Sequence, residues 1–209
     1  MHFKSRHHAG ELLADLLKDV DSEVVVALPN GGVPVASKVE KALNLPLELL
    51  TVRKLGLPKS QEYAFGVLSS NDVVVLDEYA LKSYNVSQEL INKVVQEKQV
   101  ELKETEEKIR KFLPKVHLEG KKVILIDDGM TTGTTIHAAI ESLKIHGVEE
   151  IVVAVPVAGA DAIKKIEKKG HKVYCLNTEQ YLKAVGFWYE DFSQVTDEDV
   201  MNIVKSTKK

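Results

Sequence analysis

The sequence predicts an α/β domain built on an open, mainly parallel sheet with helices on both faces. Three observations carry that expectation. Short apolar runs alternate along the chain with stretches of helical periodicity, the pattern of strand–helix–strand crossover units. Those runs lack the in–out alternation of a half-exposed strand, which suits a sheet covered on both faces. The 209 residues, 44% of them hydrophobic, are enough for one domain with a full core.

The elements follow in order. Residues 6–17 read as an amphipathic helix, with His7 and His8 in surface or capping positions. Residues 23–28 are a β-branched strand ending in Pro29-Asn30-Gly31-Gly32, and residues 33–43 form the next helix. Residues 46–52 are a second strand, ending at Arg53, and residues 73–76 a shorter third. Ser87 caps a long helix over residues 87–113, which Pro114 ends. Its lysines and glutamates at helical spacing give a solvated face with ion pairs, each stabilising by roughly 0.2–0.5 kcal/mol. A homodimer contact along this helix is the alternative. Residues 123–126 are the clearest strand, followed by a helix over residues 134–146 that stops at Gly147. A strand at 151–155, a helix at 161–169 and a last strand at 173–176 complete the pattern. The lysine-rich tail, residues 205–209, is read as frayed.

Composition excludes several classes. Lysine and arginine number 28 against 31 acids, a net charge of -3, so a general nucleic-acid binder is disfavoured and any anion site must be built locally. The single cysteine, Cys175, rules out an internal disulfide and a Cys-rich zinc site. It sits in an apolar run, as a buried, inert thiol would. The histidines at 117, 137, 146 and 171 lack ligand spacing. The N-terminus lacks a signal peptide's apolar run, and no stretch is long enough to span a membrane, so a cytoplasmic protein is expected.

The chemistry concentrates in residues 123–135, Val-Ile-Leu-Ile-Asp-Asp-Gly-Met-Thr-Thr-Gly-Thr-Thr. A buried strand gives way to two carboxylates, then to a small-residue loop that opens a helix. Such a loop offers backbone N–H groups at the positive end of the helix dipole and binds a phosphate monoester without a lysine. Thr131, Thr132, Thr134 and Thr135 add hydroxyl donors, and Gly133 permits close backbone approach. Asp127 and Asp128 would repel a lone phosphate but suit sugar hydroxyls. A ribose bearing a 5′-phosphate needs both features. Competing motifs fail: the chain has no G-x-x-x-x-G-K-[ST], no G-x-G-x-x-G after its first strand, and adjacent rather than alternate acids.

This stretch resembles the motif by which type I phosphoribosyltransferases bind phosphoribosyl pyrophosphate (PRPP), with Gly129 standing where an apolar residue is usual. The resemblance implies catalytic roles for Asp127 and Asp128. It implies 5′-phosphate binding by Thr131, Thr132, Gly133, Thr134 and Thr135. The Asn30-Gly31-Gly32 turn matches the family's pyrophosphate loop. Arg53-Lys54, with the following glycines and proline, resembles the mobile loop of adenine phosphoribosyltransferases, here residues 54–66, which implies that both cations bind pyrophosphate. Residues 184–192 look like the hood of hypoxanthine-type enzymes: Val185, Gly186, Phe187 and Trp188 would meet the base, and Glu190, or Asp191 one place on, would help bind Mg²⁺. The stacking aromatic that should precede Val185 is replaced by Lys183, and the last strand ends in Asn177-Thr178-Glu179 rather than a base-reading lysine. Segment order across most of the chain matches an uncharacterised branch of the family: residues 27–36, 52–56, 127–135, 153–158 and 184–189 carry the likeness.

The implied protein is a single phosphoribosyltransferase-like domain with a hood mainly in residues 178–209. The implied reaction is Mg²⁺-dependent transfer of phosphoribosyl from PRPP to a nucleobase-like nitrogen acceptor, releasing pyrophosphate. The alternatives are a PRPP- or nucleotide-sensing regulator that kept the pocket without catalysis, and a hydrolase of phosphoribosyl compounds. The expected partners are small molecules, with no nucleic acid and no membrane.

Overall fold

The computed structural model describes residues 2–58, 60–70 and 72–207. Lys59 of the expected loop and Lys208 and Lys209 of the expected tail lie outside the described residues. The elements in chain order are α1 (Arg6–Leu17), β1 (Val24–Ala27), α2 (Gly32–Leu43), β2 (Leu47–Leu49), β3 (Val52–Leu57), β4 (Ser60–Ser69), β5 (Val74–Leu76), α3 (Glu78–Ser83) and α4 (Gln88–Arg110). They continue with β6 (Lys122–Ile126), α5 (Thr134–Ile145), β7 (Glu150–Gly159), α6 (Ala160–Glu167), β8 (Val173–Glu179), a 3-10 turn at Val185–Trp188 and α7 (Asp197–Thr207).

Five strands form a parallel sheet in the order β2-β1-β6-β7-β8. The expected fold class is therefore present. Alternation along each strand divides the core in two. Val25, Ala27, Ile124 and Ile126 face α1, α2 and α7, while Val24, Val26, Val123 and Leu125 face α5 and α6. Both faces being covered explains why these strands read as unbroken apolar runs rather than as alternating ones.

Three expectations are corrected. Residues 46–52 are not one strand: β2 ends at Leu49 and the chain passes into β3 at Val52, in another sheet. The strand at 73–76 is also outside the parallel sheet. It becomes β5, which pairs antiparallel with β4, and β4 pairs with β3. Of residues 54–66, read as a loop, 54–57 lie instead in β3 and 60–66 in β4, paired antiparallel with register shifts around Gly56. Its core, Leu55, Phe65 and Leu68, packs on Ala80 of α3 and on Ile91, Val94 and Leu102 of α4. The hairpin has its own helical cover, so its strands have no need of the parallel sheet. A buried Ser142–Ser69 hydroxyl bond of 2.8 Å ties α5 to the end of β4.

The helices α3 and α7 were not foreseen as helices. Asp77 caps the first, accepting from Ala80 N–H at 2.9 Å. The second packs against α2 and adds Val200 and Val204 to the core on that face of the sheet. Its hydrophobic spacing was legible, but it was absorbed into the hood and tail. Among the described residues, no helix is long and apolar enough to cross a membrane.

Candidate active site

Parallel strands bring their carboxyl ends to one edge, and ligands of such sheets bind there. Asp127 follows β6, the Asn30–Gly32 turn follows β1, and Gly159 closes β7 on that edge. The loop after β6 is clamped to β7: Met130 N–H donates to Val157 O and Gly159 N–H to Met130 O, both at 2.9 Å. Gly133 then takes φ 78°, the left-handed conformation that glycine adopts without strain, and α5 begins. No side chain caps that helix, so its first-turn N–H groups remain available. Asp127, Gly129, Thr131, Thr132, Gly133, Thr134 and Thr135 line a small cleft of about 60 Å³. The expected 5′-phosphate residues are thus brought together around one helix start.

The acid pair sits tightly against the β1 turn. A methyl group on Gly31 would lie 2.1 Å from Asp128 Oδ2, and one on Gly32 would lie 2.8 Å from Ile126 O. Both positions demand glycine because the turn rests directly on the strand end. Asp127 Oδ1 accepts the Asp128 N–H at 2.8 Å. Burial, and next the Asp128 charge, raise the Asp127 carboxyl well above the ordinary carboxylate range. Burial also raises Asp128, against the opposing pull of Arg6. Arg6 Nε donates to Asp128 Oδ2 at 2.7 Å. The Tyr189 hydroxyl donates to the Asp128 carbonyl at 2.6 Å, and burial, with the Asp128 charge second, pushes that phenol up.

Other expected site residues are placed less simply. The Asn30 side chain donates to Val195 O and Asp197 Oδ1, both at 3.0 Å, so the turn offers its backbone while its amide fastens the hood. The peptide between Pro29 and Asn30 is cis. Arg53 pairs across β3–β4 with Leu68, and Lys54 with Val67. Adjacent strand residues project to opposite faces, so the two cations do not share one side. Val185 to Trp188 form the 3-10 turn, and Val185 lies over Gly129. Trp188 stacks on His2 with ring centroids 5.3 Å apart, while Phe187 is exposed. Glu190 and Asp191 are solvent-facing, and the Asp191 carboxylate accepts from both the N–H and the hydroxyl of Ser193.

Carboxylate oxygens are the donors Mg²⁺ favours. Among the described residues, however, no three His, Cys, Asp or Glu side chains converge to hold a metal ion.

The sequence reading missed Arg6 and Tyr189. Arg6 is only 9% exposed and lies in register with the buried stripe Ala9, Gly10, Leu13 and Leu17 of α1. A charged residue inside an apolar stripe was the available signal. Gly129 also gains a reason. A methyl group there would come within 2.6 Å of both Val185 methyls. The apolar side chain usual at that position is displaced by the hood. Gly129→Ala is accordingly expected to cost about 1–2 kcal/mol through overpacking. Thermal unfolding of Gly129→Ala and of Gly129→Ala with Val185→Ala checks this: the second change should recover most of the loss.

A parallel sheet whose β6 edge carries two acids and a threonine-rich helix start, with a hood laid over it, defines a phosphoribosyltransferase-type domain. The chain belongs to the phosphoribosyl transferase domain family, which matches residues 3–191. It is 35% identical over 201 residues to a Mycobacterium tuberculosis protein named "Putative phosphoribosyl transferase". That match covers 95% of this chain but 45% of the relative, so the chain spans about half the length of the curated relatives it matches. Among solved structures, TT1426 from Thermus thermophilus is 36% identical, with a TM-score of 0.84 and 99% of each chain covered. The purine phosphoribosyltransferase of Pyrococcus horikoshii, at 17% identity, TM-score 0.51 and coverage of 91% and 92%, shares the fold.

Proposed function

We propose that the chain transfers the phosphoribosyl group of PRPP to a nucleobase-like nitrogen acceptor and releases pyrophosphate. One observation carries the reading: two adjacent buried acids and an uncapped, threonine-lined helix start lie within a few residues on one strand end. The helix start, with Thr131, Thr132, Thr134 and Thr135, holds the 5′-phosphate. Asp127 and Asp128 hold the ribose hydroxyls and place negative charge near C1 as it acquires oxocarbenium character. The acceptor nitrogen bonds to C1, the C1–oxygen bond to pyrophosphate breaks, and the acceptor's proton is lost. Backbone N–H groups of the Asn30–Gly32 turn receive the departing pyrophosphate, and since Arg53 and Lys54 project to opposite faces of β3, at most one of these two cations joins them. Glu190 or Asp191 would help hold Mg²⁺ together with the phosphates of PRPP, and the ion would supply charge to offset the leaving pyrophosphate.

A second reading, a sensor of PRPP or nucleotides, is favoured by the protein partners already on Asn30 and Asp128. Pyrophosphate release from magnesium-PRPP across a panel of bases separates the readings. Base-dependent release supports transfer. Release without any base indicates a hydrolase, and binding without release indicates a sensor. Asp128→Asn is expected to lower base-dependent release at least tenfold, about 1.4 kcal/mol of barrier, with the fold kept. Unchanged kinetics would remove Asp128 from the mechanism.

A further inference from the structure

Arg6 stands at a junction. Its Nε bonds Asp128 Oδ2 at 2.7 Å and its Nη1 donates to the Ser193 carbonyl at 2.8 Å. Its guanidinium lies 3.8 Å from the centroid of Phe192 and 5.9 Å from that of Tyr189. The Arg6 and Asp128 side chains are 10% and 15% exposed, so the pair is largely desolvated. Three pieces distant in sequence meet there: α1, the strand-end acids and the hood segment 189–193. The planar fork of arginine suits this arrangement, since one edge takes the carboxylate, another the carbonyl, and the face takes the ring.

We propose that Arg6 is a positioning residue of the site: it fixes one carboxylate oxygen of Asp128 and couples the sugar-binding acid to the placement of the hood. The inference rests on the phosphoribosyl reading above. With Oδ2 committed to Arg6, Oδ1 is the oxygen left for a ribose hydroxyl. Without Arg6, Oδ2 of Asp128 loses the bond that fixes it, and segment 189–193 loses this tie to the strand end. Lysine at position 6 keeps the charge but can serve the carboxylate or the carbonyl, not both in one plane.

The test is a double-mutant cycle on the full chain, titrating magnesium-PRPP and, separately, ribose 5-phosphate by calorimetry. Arg6→Gln is expected to weaken both ligands about tenfold in the wild-type background and less than twofold in the Asp128→Asn background. Arg6→Lys is expected to recover part of the loss, and it keeps the test alive if the glutamine variant fails to fold. Equal losses in both backgrounds would show Arg6 to be a structural residue and overturn the proposal. So would wild-type affinity in the lysine and glutamine variants alike. Absence of binding by the wild-type protein is a different failure: it removes the phosphoribosyl reading itself, and the role of Arg6 falls with it.

Discussion

Asp127→Asn is expected to slow transfer about a hundredfold, ~2.7 kcal/mol of barrier, while making the ligand-free protein more stable above the carboxylate range. The two effects have opposite signs for one reason. Asp127 is desolvated beside a second acid, and its folded-state pKa is raised well above the usual 3.8. The folded chain therefore retains protons there that the unfolded chain releases. Stability from this group is fully present below the ordinary carboxylate value and is lost as pH rises through the raised value. Asparagine keeps the oxygen that accepts the Asp128 N–H but carries no charge, so it avoids that loss. Thermal unfolding of both proteins across pH 4 to 8 tests the point. The variant's melting temperature should exceed the wild type's by about 2–4 °C at neutral pH, what roughly 1 kcal/mol is worth at this size, and the gap should close toward pH 4. A gap that does not change with pH would mean that Asp127 is not held near its charged neighbour at a cost.

The second large effect lies away from the site. Glu48→Ala is expected to destabilise the fold by about 3 kcal/mol and to lower the melting temperature by roughly 6–12 °C. Glu48 is buried within β2, the edge strand of the parallel sheet. Its carboxylate accepts from Arg110 Nη2 and from Val116 N–H, both at 2.6 Å, and from Leu49 N–H at 3.0 Å. The first two bonds fasten the end of α4 and the segment that follows it across the sheet edge. Alanine leaves those donors without their buried acceptor. The cost falls near the low end for a broken buried pair because Arg110 keeps Glu106 at 3.2 Å and is 22% exposed. A fall of less than 2 °C would show that the edge is held by packing alone. Ligand affinity should be little changed, since β2 contributes Glu48 to the edge and not to the cleft.

Residue order alone encodes the parallel sheet, because strands buried on both faces must be apolar throughout and residues 24–27, 123–126 and 151–155 are. It also determined the phosphate-type helix start, because Gly133 and its flanking threonines encode local backbone geometry within a single turn. Other features were decided by tertiary structure. Val74 and Leu76 read like core residues, yet they stand on the small β3–β4–β5 sheet, because strand partnership depends on which neighbour lies nearest in space. Gly129 departs from the apolar pattern because Val185, far along the chain, packs against it. Arg53 and Lys54 looked like one basic pair, but strand pleating sends them to opposite faces. Arg6 meets Asp128 across 122 residues of sequence, and no local pattern encodes that pairing. Local backbone preference is written residue by residue, whereas the charge partner of a buried acid is chosen by how distant segments pack.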